Sequence, residues 1–247
     1  MKATTDSCRP GPAAPIAVIL LPLSRLAAAV LLAGAGCSGA RGRSEAAASP
    51  AEQRARLLQP GDDHWRRPAP EKFDVAIETT KGTFVLAIER ALAPRGVDRF
   101  YQLVQAGYFD DSRFYRVVPG FIAQFGVAGD PAVARAWKDR PIDDDSVRAS
   151  NVRGTIAFAM NGPNTRTTQL FISLVDNSRL DAQGFSTLGR VVSGMDVVDR
   201  LYGGYGENAG GGIRGGRQGR MMAEGNAHLD RDYPMLDRLV RASVTRR

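Results

Sequence analysis

Cysteine is almost absent from this chain, and its two instances, Cys8 and Cys37, precede everything that patterns like a folded body. A structural disulfide or a cysteine-based zinc site is thereby excluded from that body. Histidine is equally scarce. His64 and His228 stand far apart in unlike surroundings, so they form no catalytic pair, and both read as solvated. A long basic run is missing too. The formal charge is +7, but residues 1–70 hold 9 of the 33 Lys+Arg and 5 of the 26 Asp+Glu, so +4 of the excess lies ahead of the body. That leaves no electrostatic footprint for nucleic acid. The glycine clusters Gly210–Gly212 and Gly215–Gly216 are followed by no Gly-Lys-Ser/Thr, which excludes a phosphate loop and leaves a flexible excursion over Gly203–Gly219. Asp143-Asp144-Asp145 lacks the spaced glycine and closing glutamate of a calcium loop and reads as a solvated loop. No metal or other cofactor is implied by these patterns.

What is present divides into three parts. Residues 1–37 read as a signal peptide: Lys2 and Arg9, apolar stretches on either side of Arg25, and the small residues Gly34-Ala35-Gly36 before Cys37. This end looks like a bacterial lipoprotein signal with Cys37 as the acylated residue. Two alternatives stay open, ordinary cleavage after Ala33-Gly34-Ala35 and a retained membrane segment. Gly34 stands where such signals usually carry leucine, and Arg25 with Pro15 and Pro22 disfavours retention. The expectation is export to the cell envelope, with a lipid anchor on the outer membrane or periplasmic face, or else a free periplasmic or secreted protein. Residues 38–70, rich in Ala, Arg, Ser, Glu and Pro, read as a flexible tether with a short helix over Pro50–Leu58. Residues 71–247 form the body.

Within the body, Phe73–Thr79 and Phe84–Glu89 alternate apolar and polar residues around the turn Thr80-Lys81-Gly82, which predicts a β-hairpin. Pro94 opens a helical pattern carrying Val97, Phe100, Tyr101 and Val104, closed by Gly107. Strands are predicted at 113–118, 121–125, 154–160, 169–175 and 186–192, with a loop over 129–153 and a second helix at 196–202. Ala227–Leu236 reads as a helix or turn, and 239–244 as a last strand returning beside the first hairpin. Strands dominate without βαβ alternation, so the fold class is mainly β: a closed antiparallel eight-stranded barrel capped by two α-helices.

The densest signal is Phe114-Tyr115-Arg116-Val117-Val118-Pro119-Gly120-Phe121-Ile122-Ala123-Gln124, followed by Asn161-Gly162-Pro163-Asn164-Thr165, Gln169-Leu170-Phe171-Ile172, and Leu180-Asp181 with Phe185. In this order and spacing the chain resembles the cyclophilin family of peptidyl-prolyl cis-trans isomerases, over approximately Phe73 to Val198 with the last strand added. The resemblance implies isomerisation of X-Pro bonds in folding proteins of the envelope, by a monomer whose partners are proline-containing polypeptides. It implies Arg116 as the cation that donates to the substrate, with Gln124 binding a substrate carbonyl and orienting Arg116, and Gln169 beside them. Phe121, Ile122, Phe171 and Leu180 would line the proline pocket. Ala159 and Met160 would offer backbone groups, and Phe185 would close the rim.

Three positions depart from the pattern: Phe185 where members often have histidine, Arg179 where many eukaryotic members have tryptophan at the entrance, and Met160 where asparagine is expected. Taken singly, Arg116 reads as a surface strand arginine, Phe121 and Phe171 as core aromatics, and Gln124 and Gln169 as solvated strand residues. The alternative to an enzyme is a cyclophilin-like module that holds proline-containing segments with little turnover.

Overall fold

The hairpin at the start of the body sets the sheet. In a computed structural model, which describes residues 49–209 and 218–245, strand β1 (Lys72–Thr79) pairs antiparallel with β2 (Gly82–Glu89), from Lys72 opposite Glu89 to Thr79 opposite Gly82. Alternation sends Phe73, Val75, Ile77, Phe84, Leu86 and Ile88 to one face, all essentially buried. The signal peptide with Cys37, the first part of the tether, and glycine-rich residues 210–217 lie outside the described residues.

The remaining strands are β3 (Ser112–Arg113), β4 (Arg116–Val118), β5 (Ile122–Phe125), β6 (Thr155–Phe158), β7 (Leu170–Ser173), β8 (Thr187–Ser193) and β9 (Arg238–Thr245). They form one nine-stranded sheet in the order β3-β9-β1-β2-β8-β6-β7-β5-β4, with every paired neighbour antiparallel. The last strand does return to the first hairpin, pairing along β1. The expected eight-stranded closed barrel is corrected in two respects. Among the described residues there are nine strands, and no ladder joins the outer ones, β3 and β4. Those two edges are consecutive in sequence, separated only by Phe114-Tyr115. The sheet therefore curls until its ends meet through the covalent chain rather than through hydrogen bonds.

Helix α2 (Pro94–Gln105) buries Val97, Phe100, Leu103 and Val104 against the sheet. It opens on proline, and its first donors are satisfied from a distance. The Asp145 carboxylate accepts from Arg95 N at 3.1 Å and from Gly96 N at 2.9 Å, placing an anion at the positive end of the helix. Asp145 also pairs with the buried Arg166 at 3.1 Å, and Asp144 meets the same guanidinium at 3.1 Å. The acidic triplet is thus solvated only in part: Asp143 is exposed and Asp144 half-buried, while Asp145 is buried against Arg166 and the start of α2.

Beside α2 and α4 (Met195–Asp199), the described residues hold α1 (Pro50–Leu57), where a short helix is expected, and α6 (Asn226–Asp232), within the stretch read as a helix or turn; α3 (Pro131–Trp137) and α5 (Gly219–Glu224) carry no such expectation. Helix α3 interrupts the region read as a loop, capped by Asp130, whose carboxylate accepts from Ala132 N at 2.8 Å. Trp137 at its end carries the packing of residues 49–70. Its Nε1 donates to the Leu57 carbonyl at 2.8 Å, and its ring meets Trp65 edge-on at 4.7 Å. Leu57 and Trp65 are both buried. The described part of the expected tether is therefore folded onto the body, because two large apolar residues in a polar stretch suffice to dock it. His228 is corrected likewise: it is buried on α6, with Nδ1 2.9 Å from Asp232.

Candidate functional site

Pairing across the second half of the sheet brings the predicted residues together. Arg116 on β4 lies opposite Gln124 on β5, Gln124 opposite Phe171 on β7, and Phe171 opposite Ala157 on β6. Residues directly opposite in a sheet point to the same face, so these four make one row. Ile122, two residues from Gln124, joins the same face. The intervening residues Val117, Ala123, Phe125, Leu170, Ile172, Ile156 and Phe158 point the other way into the main core. The outward face builds a second apolar cluster of Ile122, Ala157, Phe171 and Leu180, with the partly buried Phe121, Ala159 and Phe185 against it. Six predicted pocket residues thus meet in one cluster distinct from the core.

Turns place the rest. Gly120, at φ 73°, lets the β4–β5 connection reverse and presents Phe121 at the edge of the cluster. The Phe121 carbonyl accepts from Leu174 N and from Asn177 Nδ2, both at 2.9 Å. Leu180 enters from the six-residue 3₁₀ segment Ser178–Gln183. Phe185 meets Phe171 edge-on at 5.7 Å. Met160 lines two adjoining cavities. One, of about 270 Å³, is shared with Gln124, Ala159, Gln169 and Gln218; the other, of about 480 Å³, with Asn161, Pro163 and Phe185. The Ala159 N–H is donated to the Gln169 carbonyl at 2.9 Å, so its carbonyl is what it can offer to a ligand.

Arg116 is only 7% exposed, so it is not a surface arginine. Its Nη1 donates to Gln124 Oε1 at 3.1 Å, its Nη2 to Glu207 Oε1 at 2.6 Å, and its guanidinium stands 5.5 Å from the Phe121 ring centroid. A guanidinium only donates, which fixes Gln124 with its oxygen toward Arg116. Both Gln124 N–H groups then turn inward, to Tyr115 Oη at 2.9 Å and Gln169 Oε1 at 3.2 Å. In this arrangement Gln124 Oε1 holds Arg116, and both Gln124 N–H groups are engaged within the protein. Tyr115 in turn donates to Gln169 Oε1 at 2.5 Å. Its complete burial pushes the phenol well above its ordinary pKa, so it stays a neutral donor. Gln169 pairs with Gln218 amide to amide, at 3.0 and 3.3 Å.

Three members of this network carry no sequence expectation: Tyr115, Glu207 and Gln218. Tyr115 sits inside the recognised string, next to Arg116. Glu207 is the lone acid of the glycine-rich stretch, and its segment is held against β4 by a bridge between Gly206 and Val117 and by Gly203 packed on Pro119. Gln218 has no local signal. A further cavity of about 400 Å³ lies between β2 and β8, lined by Lys72, Glu89 and Arg190, and shares no residue with the site.

A buried arginine held by a glutamine thus stands beside a separate apolar cluster on a curled antiparallel sheet. The family "Cyclophilin type peptidyl-prolyl cis-trans isomerase/CLD" matches residues 74–210, more than half of the chain. The chain belongs to that family. It is 32% identical over 141 residues to peptidyl-prolyl cis-trans isomerase A of Dickeya dadantii, covering 55% of this chain and 74% of that protein. It is 33% identical over 138 residues to peptidyl-prolyl cis-trans isomerase B of Escherichia coli, covering 52% and 84%. A crystal structure of a cyclophilin type peptidyl-prolyl cis-trans isomerase of Cryptosporidium parvum superposes with a TM-score of 0.52 at 19% identity, over 71% of this chain and 99% of that one, a likeness of fold.

Proposed function

We propose that this chain accelerates cis-trans isomerisation of X-Pro bonds in folding proteins of the cell envelope, to which it is carried by its leader and anchored through Cys37. The buried Arg116–Gln124 pair at the edge of a second apolar cluster carries the enzymatic reading. Amide resonance sets a barrier of about 18–20 kcal/mol to the rotation. No bond to carbon breaks, so the protein has only to hold the ring, twist the imide and weaken its resonance. Phe121, Ile122, Phe171 and Leu180 hold the proline ring, and Phe185 covers one side. Arg116, kept in place by Gln124, donates a hydrogen bond that stabilises the pyramidal imide nitrogen. Fixed donors of this kind in a dry site stabilise a transition state by several kcal/mol. Ala159 and Met160 align the peptide through their backbone.

A specific contact favours the second reading, a binding module with little turnover. Glu207 already occupies Arg116 Nη2. The two readings separate in the refolding of a protein whose slow phase is an X-Pro isomerisation, which takes tens of seconds uncatalysed. Catalytic amounts of the chain are expected to shorten that phase. Stoichiometric binding with an unchanged phase would favour the module. The anchoring is tested by fatty-acid labelling in cells: incorporation lost in Cys37→Ala supports it, and incorporation retained in that variant refutes acylation at Cys37.

A further inference from the structure

Two guanidinium groups stand against the Phe121 ring. That of Arg116 lies 5.5 Å from its centroid and that of Arg179 lies 5.0 Å away. Their counter-charges differ. Arg116 is buried and has Glu207 at 2.6 Å, so its charge is compensated within the site. Arg179 is exposed, and among the described residues it forms no ion pair; its backbone carbonyl accepts from Gln183, and its guanidinium contacts the ring.

The placement of Arg179 is built into the pocket. It belongs to the turn Ser178–Gln183, whose next residue, Leu180, is buried in the apolar cluster. Leu180 N donates to the Asn177 carbonyl at 2.8 Å, while Asn177 Nδ2 donates to the Phe121 carbonyl at 2.9 Å. The turn that carries the charge and the turn that carries the ring are therefore tied together. A guanidinium laid on an aromatic face keeps its in-plane N–H groups directed outward, where they match the two oxygens of a carboxylate. With Phe121 packed on the proline, a carboxylate one or two residues away along an extended peptide is within reach, at about 3.3–3.6 Å per residue.

We propose that Arg179 is a specificity-determining residue, selecting proline-containing segments that carry Asp or Glu within two residues of the proline. This rests on the reading that the pocket takes proline. Among the described residues, the charge at the pocket edge that has no ion pair is Arg179's, so acidic segments are preferred over basic ones.

The test uses the full chain and three peptides of one length, with Ala, Glu or Lys beside a central proline. NMR reads the rate of cis-trans exchange and, by titration, the affinity of each. An exposed ion pair is worth up to about 1 kcal/mol, so the Glu peptide is expected to exceed the Lys peptide about fivefold in kcat/KM and in affinity at low salt. The gap narrows as salt is added. Arg179→Gln flattens the series and Arg179→Glu inverts it. Equal handling of the charged peptides by the wild type, or an order retained in Arg179→Glu, overturns the assignment. Affinity is read independently of exchange, so a failure to accelerate any peptide counts against the isomerase while leaving the charge preference separately decided.

Discussion

Arg116 Nη2 and Glu207 Oε1 meet at 2.6 Å, which sets a carboxylate against the cation expected to polarise the substrate. The pair is asymmetric, for Arg116 is buried and Glu207 is 44% exposed. A substrate that draws on Nη2 competes with Glu207, and the carboxylate lowers the positive potential felt at the imide. Glu207→Gln keeps an acceptor and removes the charge. It is expected to raise kcat/KM on a neutral peptide roughly two- to fivefold, the scale of an exposed ion pair. A fall in kcat/KM would instead make Glu207 a support that Arg116 requires.

Tyr115→Phe removes the hydroxyl that accepts from Gln124 and donates to Gln169. One buried Gln124 N–H then loses its acceptor, while the other keeps Gln169 Oε1 at 3.2 Å. A loss of about 1–2 kcal/mol in urea unfolding is expected, with a several-fold fall in exchange rate as Gln124 loosens its hold on Arg116. Unchanged stability and rate would remove Tyr115 from the network.

Asp145 serves two structures at once, the first turn of α2 and the buried Arg166. Asp145→Ala strips both and leaves a buried cation short of its partner, at an expected cost of about 3–5 kcal/mol in thermal or denaturant unfolding. Converting Arg166 to Met in the same chain is expected to recover part of that loss. A double variant no more stable than Asp145→Ala would show that capping of α2 dominates instead.

Residues 49–70 contribute Leu57 and Trp65 to the core around Trp137. A chain that begins at residue 71 exposes this surface and is expected to melt several degrees lower, since about 1 kcal/mol shifts the midpoint by a few degrees in a domain of this size. An unaltered midpoint would return the segment to the role of a tether.

The first hairpin, α2 and the returning strand β9 were legible because each carries its own period. The row Arg116–Gln124–Phe171 was legible through the resemblance and is explained by alternation. What local pattern concealed was long-range. Asp145 reaches 49 residues back to cap α2, a contact with no trace in the composition of its loop. Helix α3 is short and alanine-rich, so its seven residues carry too little periodicity to stand out. Trp65 docks on Trp137, which lies in a segment that reads as a loop. That the sheet curls without a closing ladder follows from strand order, which periodicity does not encode, and Glu207 reaches Arg116 across 91 residues.

Arg116 is expected to speed rotation rather than merely hold the peptide. This role is tested most directly by exchange NMR on a short Ala-Pro peptide with the full chain, wild type and Arg116→Ala, measuring affinity in the same samples. Fast exchange is expected in the wild type and a loss of about a hundredfold in the variant, in line with removal of one preorganised donor, while affinity changes only a few-fold. Equal exchange rates in the two proteins would contradict that role.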